Sequence, residues 1–162
     1  MIRRYTTSFA GAGTPTFDTA SRGAILGLTF STSRTDLAKA ILEGLTYELR
    51  LNLDLLRDGG VAIDVLRAIG GGAKSPLWLQ LKADITGIPV ITPRITEAAA
   101  FGAALLAGVG VGLWPTAADG ASRFLELTDT FEPDAPRHTA YSRLYEEYRE
   151  VYPAVAPISH RL

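Results

Sequence analysis

The stretch VLRAIGGGAKSPLWLQLKADIT, residues 65–86, passes from an apolar run through consecutive glycines into a helical pattern. Ile63 and Val65 alternate, Leu66 and Ile69 follow, and Gly70, Gly71 and Gly72 end the run abruptly, so residues 61–69 read as a strand entering a tight turn. Ser75 offers a side-chain cap, and Pro76 suits the first helical position, where its missing N–H costs nothing. The following helix, residues 77–86, is expected to pack Leu77, Trp78, Leu81 and Ile85 and to stop at Gly87. Side-chain-free residues let a ligand approach the backbone, and N–H groups at a helix start point at an anion or at the polar edge of a nucleoside. The turn is neither G-x-G-x-x-G nor G-x-x-x-x-G-K-[ST], because Lys74 lies too near the first glycine. On its residues alone, a ligand-free turn and a ligand-binding one are equally compatible with it.

On the C-terminal side, residues 89–92 read as a short strand, and Thr96 as the cap of a helix beginning at Glu97, whose carboxylate suits the positive end of the helix dipole. Ala98, Ala99, Gly102, Ala103 and Ala104 make that helix a small-residue one, which predicts close approach of another backbone, with a glycine-rich exit at residues 108–112. A helix over residues 116–125, a polar connection through Pro133 and Pro136, and a last amphipathic helix bearing Tyr141, Leu144, Tyr145 and Tyr148 complete this half. On the N-terminal side, residues 2–9 read as a strand and residues 10–22 as a loop. The run GAILGLTF, residues 23–30, has the look of a buried strand. Residues 36–57 form a long helix burying Leu37, Ile41, Leu45, Leu49 and Leu53, with Ala38, Leu42 and Leu56 beside them, and Gly59 and Gly60 end it. Strands alternating with helices give an α/β domain, and no repeat or linker splits its 162 residues into more than one.

Sixteen Lys and Arg against seventeen Asp and Glu leave a net charge of -1, without the basic footprint a nucleic-acid binder needs. The absence of cysteine excludes disulfides, thiol catalysis and Cys-based metal sites. No apolar run approaches the roughly 18 residues of a membrane span, and no signal-peptide core follows Met1, so a cytoplasmic protein with neither nucleic acid nor membrane as partner is expected. His138 and His160 lack neighbours at ligand spacing and read as exposed surface histidines, so no metal site is expected. Asp84 and Glu43 sit on helices with apolar stripes, where structural hydrogen bonds or ion pairs outweigh catalysis, and no catalytic residue is assigned. Lys74 could equally reach a phosphate or stand in solvent, and Trp78 reads as core.

Gly23-Ala24-Ile25-Leu26-Gly27-Leu28, a gap of seven residues, Asp36-Leu37 and then Ala40-Ile41-Leu42-Glu43 resemble the second signature of the FGGY carbohydrate kinases at every specified position. The runs GGGAKSPLWLQLKADITGIPV and EAAAFGAALLAGVGVG, residues 70–90 and 97–112, resemble that family's adenine-nucleotide segment and the helix after it. The likeness extends from about Tyr5 to the tyrosine-rich helix and is closest to xylulokinase-like members; glycerol kinases usually carry asparagine where this chain has Pro76.

The resemblance implies a ribonuclease-H-like fold of the actin, hexokinase and Hsp70 ATPase class, a mixed sheet flanked by helices. It covers the carboxyl-terminal domain only. The amino-terminal domain, with its phosphate loop, general-base aspartate and most magnesium and sugar ligands, is expected to be absent from this chain. By likeness Gly71, Gly72 and Ala73 lie against the adenosine and α-phosphate of ATP or ADP, Gly70 sets the turn, and Ser75 hydrogen-bonds the base or ribose. The implied function is the nucleotide-binding half of an ATP- and Mg2+-dependent kinase of a ketose such as xylulose, inactive alone. The alternative is a non-catalytic actin-like module binding nucleotide or a protein. The face left bare by the missing domain makes a homodimer possible.

Overall fold

The computed structural model describes residues 4–6 and 11–162. They form two compact units, one built from the chain up to Ile63 together with Asp84–Gly87 and Pro133–Leu162, the other from Asp64–Ala83 and Ile88–Glu132.

In the second unit, β3 (Leu66–Arg67) pairs in parallel with β4 (Val90–Pro93), which pairs antiparallel with β5 (Leu127–Phe131). The two strands earlier in the chain, β1 (Arg4–Thr6) and β2 (Ala24–Leu26), belong to the first unit and form a separate antiparallel pair. The mixed three-stranded sheet is covered by α2 (Pro76–Thr86), whose Leu79 and Ala83 bury against Val90, with Leu66, Ala68 and Phe131 around them. The packed face therefore differs from the predicted one. Leu77 is 75% exposed, because position 79, not 77, faces β4 once the helix starts at Pro76. Strand β5 replaces part of the expected polar connection. Leu127 through Thr130 are all exposed, and the strand's place at the sheet edge asks for little burial.

Helix α3 (Ala98–Gly110) begins one residue later than expected: Glu97 occupies the cap position and makes no side-chain cap bond. The small-residue face is also not where the backbone is approached. A Cβ on Gly102 would meet nothing within 4 Å, whereas Gly108 is buried against the Trp114 ring. Trp114 Nε1 donates to the Leu105 carbonyl at 2.8 Å, and its other side lies on Gly120 of α4 (Ala117–Phe124), which Thr116 caps from just outside instead of opening it.

In the first unit, residues 2 and 3 and 7–9 of the expected first strand lie outside the described residues. β2 is a strand as expected but not a buried one: Ile25, Leu26 and Leu28 are exposed. A two-stranded ribbon covers only one side of itself. Helix α1 (Arg34–Asp58) starts with a reciprocal capping box between Ser33 and Asp36 and ends at Gly59. It buries Ala40, Glu43, Gly44 and Tyr47, spaced i, i+3, i+4 and i+7, and leaves Leu45 and Leu56 exposed. Apolar residues ring this helix, so the partner chooses the face. That partner is α5 (Ala135–Arg149), whose Tyr141, Tyr145 and Tyr148 surround Tyr47 at centroid distances of 6.5, 6.0 and 5.2 Å. Arg50 reaches over the Tyr145 ring and donates to Ser142 Oγ and the Ile85 carbonyl. A further helix, α6 (Val151–Ser159), was not expected; it holds Pro153 in its first turn and Pro157 in its interior. Pro153 is tolerated because the first-turn N–H has no helical partner to lose.

Candidate functional site

At the end of β3 the Ala68 N–H donates to the Ile91 carbonyl, and the chain then leaves the sheet through Gly70 at φ 71°, ψ -160°. A side chain there would be strained. Residues Gly71–Lys74 form one 3-10 turn, closed by the Ala73 N–H on the Gly70 carbonyl at 3.1 Å. Ser75 then caps α2: its carbonyl takes the Trp78 and Leu79 N–H groups at 3.0 Å, and its Oγ accepts weakly from Trp78 N at 3.4 Å. As predicted, the turn joins a strand directly to a capped helix.

The three glycines are not equivalent. Gly70 and Gly71 have nothing within 4 Å of where a Cβ would stand, so bare backbone faces open space. Gly72 is backed at 3.4 Å by the Trp78 ring and by Lys82 Nζ, which itself lies 4.4 Å over that ring. Ala73 is buried beneath the turn. Lys74 stands largely in solvent, and its Nζ pairs with Glu97 Oε1 at 3.1 Å. The Gly70 N–H donates to the Thr96 carbonyl at 2.8 Å.

The other candidate side chains have structural work. Asp84, 2% exposed, accepts the Asp134 N–H at 3.0 Å and pairs with Arg137 at 3.4 Å, fixing the start of α5. His138 is not an exposed histidine: its Nδ1 bonds the Asp84 carbonyl at 2.9 Å, and it fits only because Gly87 lacks a Cβ, which would come within 2.7 Å of the ring. His160 is exposed as expected, yet its Nε2 lies 2.6 Å from Asp18 Oδ2, where the Tyr152 hydroxyl also donates at 2.7 Å. These bonds hold the Asp18 carboxyl down to about 2, His160 contributing most. Nothing local in the sequence signals this cluster, because Asp18 lies more than a hundred residues from both Tyr152 and His160. Among the described residues no three His, Asp or Glu side chains gather to hold a metal ion.

Glu43 is buried between Lys39, at 3.5 Å, and Tyr141. Burial pushes its carboxyl above the ordinary value of 4.5, against the lowering pull of Lys39 and Tyr141. Folding therefore holds this proton more tightly than the unfolded chain does, and stability is lost as pH rises from about 4.5 through the folded value. Glu43→Gln is expected to melt higher than the parent at neutral pH, with the gap closing as the pH falls to about 4. Melting curves across that range check it.

The model of the FGGY family of carbohydrate kinases, C-terminal domain, matches residues 4–111. The chain belongs to that family. A xylulose kinase of Staphylococcus epidermidis is 34% identical over 148 residues, 91% of this chain and 30% of the relative. A glycerol kinase of Rhodopirellula baltica is 42% identical over 130 residues, 80% of this chain and 24% of its own. The crystal structure of Plasmodium falciparum glycerol kinase with ADP superposes with a TM-score of 0.74 at 27% identity, covering 91% of this chain and 30% of that one. The FGGY chain thus spans less than a third of the length of these relatives. Its α/β fold is that of the actin- and hexokinase-like ATPases. No helix among its described residues is long and apolar enough to cross a membrane.

Proposed function

We propose that this chain supplies the adenosine side of the nucleotide site in an ATP-dependent carbohydrate kinase acting on a ketose such as xylulose. The observation that carries the reading is the open backbone at Gly70 and Gly71, at the junction of β3 and α2, in a chain of this family. A nucleotide needs such a cradle, because only glycine brings the backbone within van der Waals reach of ribose and α-phosphate. In this reading Gly71 and Gly72 present the N–H groups of the first turn, which a helix start leaves without intrahelical partners. Ala73 forms the wall, Gly70 sets the entry angle, and Ser75 keeps its hydroxyl proton for base or ribose while its oxygen caps α2.

ATP, when bound, supplies the phosphoryl group to be transferred. This chain's residues bind and orient its adenosine end, which lowers the barrier only when other groups act on the developing charge. Because no carboxylate cluster stands among the described residues, they do not fit a magnesium site, and no step is assigned to one. The xylulose kinase relative matches more of this chain, 91% against 80%, which supports a ketose, while the glycerol kinase relative matches at higher identity, 42% against 34%, so the sugar assay must include glycerol. Self-association of the isolated chain belongs to the same proposal, since Leu77, Val111 and Phe30 stand exposed.

The test is a coupled ADP-release assay with xylulose, other ketoses and glycerol, beside ADP titration. The 162-residue chain is expected to bind ADP weakly without turnover, and sugar-dependent turnover is expected when a separately expressed amino-terminal half from the same locus is added. Robust turnover by the chain alone, or no ADP binding at all, would overturn the reading.

A further inference from the structure

We infer that Glu97 is a positioning residue for the nucleotide turn, acting through Lys74 and not by touching the ligand; this rests on the nucleotide reading of residues 70–75. The turn is anchored at its first and last residues to one dipeptide. Gly70 N–H donates to the Thr96 carbonyl at 2.8 Å, and Lys74 Nζ meets Glu97 Oε1 at 3.1 Å. Between these anchors Gly71 touches nothing at its Cβ position, and Gly72 is backed only by the Trp78 and Lys82 side chains. Glycine has more backbone freedom to lose than any other residue, so a glycine turn gains affinity to the degree that something else has already ordered it. The Thr96 anchor is main chain and survives any side-chain change. Glu97 provides the side-chain anchor, and it is available because it makes no capping bond to its own helix.

Both partners of the pair are about two-thirds exposed, at 65% and 68%. An exposed pair contributes little to global stability. Loss of the pair should therefore be felt in the turn and not in the melting temperature. A rival arrangement is that Glu97 merely restrains a lysine whose purpose is to meet a phosphate. The two differ in sign: a positioning role weakens every adenine ligand when Glu97 is removed, whereas a restrained phosphate ligand would be released.

The experiment titrates adenosine, AMP and ADP into the parent chain, Glu97→Gln, Lys74→Gln, the double variant, and the exchanged pair Lys74→Glu with Glu97→Lys. Amide hydrogen exchange at Gly70 is followed without ligand. Each single variant is expected to bind all three ligands about three- to fivefold more weakly, the upper end of what an exposed pair carries. The double variant should be no worse than the singles, and the exchanged pair should restore affinity. Exchange at the Gly70 amide, which the bond to the Thr96 carbonyl protects, should quicken by a similar factor as the loosened turn opens more often, with melting unchanged. Tighter ADP binding in Glu97→Gln with adenosine unaffected would overturn the inference in favour of the restrained lysine, as would unaltered Gly70 exchange. Failure of the parent chain to bind any of the three ligands would defeat the nucleotide reading, and the exchange measurement, which needs no ligand, still decides whether Glu97 holds the turn.

Discussion

Gly108→Ala is expected to destabilise the protein while Gly102→Ala, six residues earlier in the same helix, stabilises it. Alanine in a helix interior is favoured over glycine by about 0.5–1 kcal/mol, and at Gly102 nothing lies within 4 Å to oppose that gain. At Gly108 a methyl group would overlap the Trp114 ring. That ring cannot retreat: Gly120 lies on its other side, where a Cβ would approach Cε2 at 2.7 Å, its Nε1 is bonded to Leu105, and Phe124 packs edge-on at 6.0 Å. Overpacking of this kind costs typically about 1–3 kcal/mol, more than the helix gains. For a chain of this size that is a fall in Tm of several degrees, against a rise of a degree or two at Gly102. Thermal unfolding of the two variants decides it. A Gly108 variant as stable as the Gly102 one would mean that Trp114 does not sit in that slot.

The same pair shows what the sequence could and could not reveal. Glycine and alanine alternate along α3 with no feature separating Gly102 from Gly108; the difference is made by a tryptophan beyond the helix, brought back by the turn through Gly112. Punctuation was legible because it is local chemistry. Ser75 with Pro76, Thr116 and Gly59 mark helix ends through their own hydrogen bonds. Faces were not legible, since Leu45 and Tyr47 are both apolar enough to be buried and only the tyrosines of α5 choose between them. β5 was missed because an edge strand of Leu, Thr, Asp, Thr and Phe needs one neighbour and little burial, so its pattern resembles a loop. For the candidate site, the run of glycines and its resemblance located the turn. The pairing of Lys74 with Glu97 and the backing of Gly72 by Trp78 depend on approaches that no spacing encodes.

That inequality among the glycines selects the substitution with the largest expected effect on binding. Gly72→Val confounds two losses, because its Cβ would already touch Trp78 and Lys82 at 3.4 Å and the methyl groups beyond it would crowd them before any ligand arrived. Gly70→Val confounds binding with backbone strain, since φ is 71° there. Gly71 has neither problem: its φ is not left-handed, and a Cβ there meets only open space. Gly71→Val should therefore leave stability within roughly 0.5 kcal/mol of the parent, as surface substitutions usually do. It fills the space through which ribose and α-phosphate would reach the backbone, and forcing the ligand off by such an intrusion costs about 1–3 kcal/mol. Since each 1.4 kcal/mol is tenfold, ADP binding should weaken by roughly 5- to 140-fold with the melting curve unmoved. Titrating ADP into both proteins, with thermal unfolding alongside, reads the two quantities separately. Equal affinity would place the nucleotide elsewhere on the chain, and a parallel collapse of stability would show that Gly71 supports the fold itself.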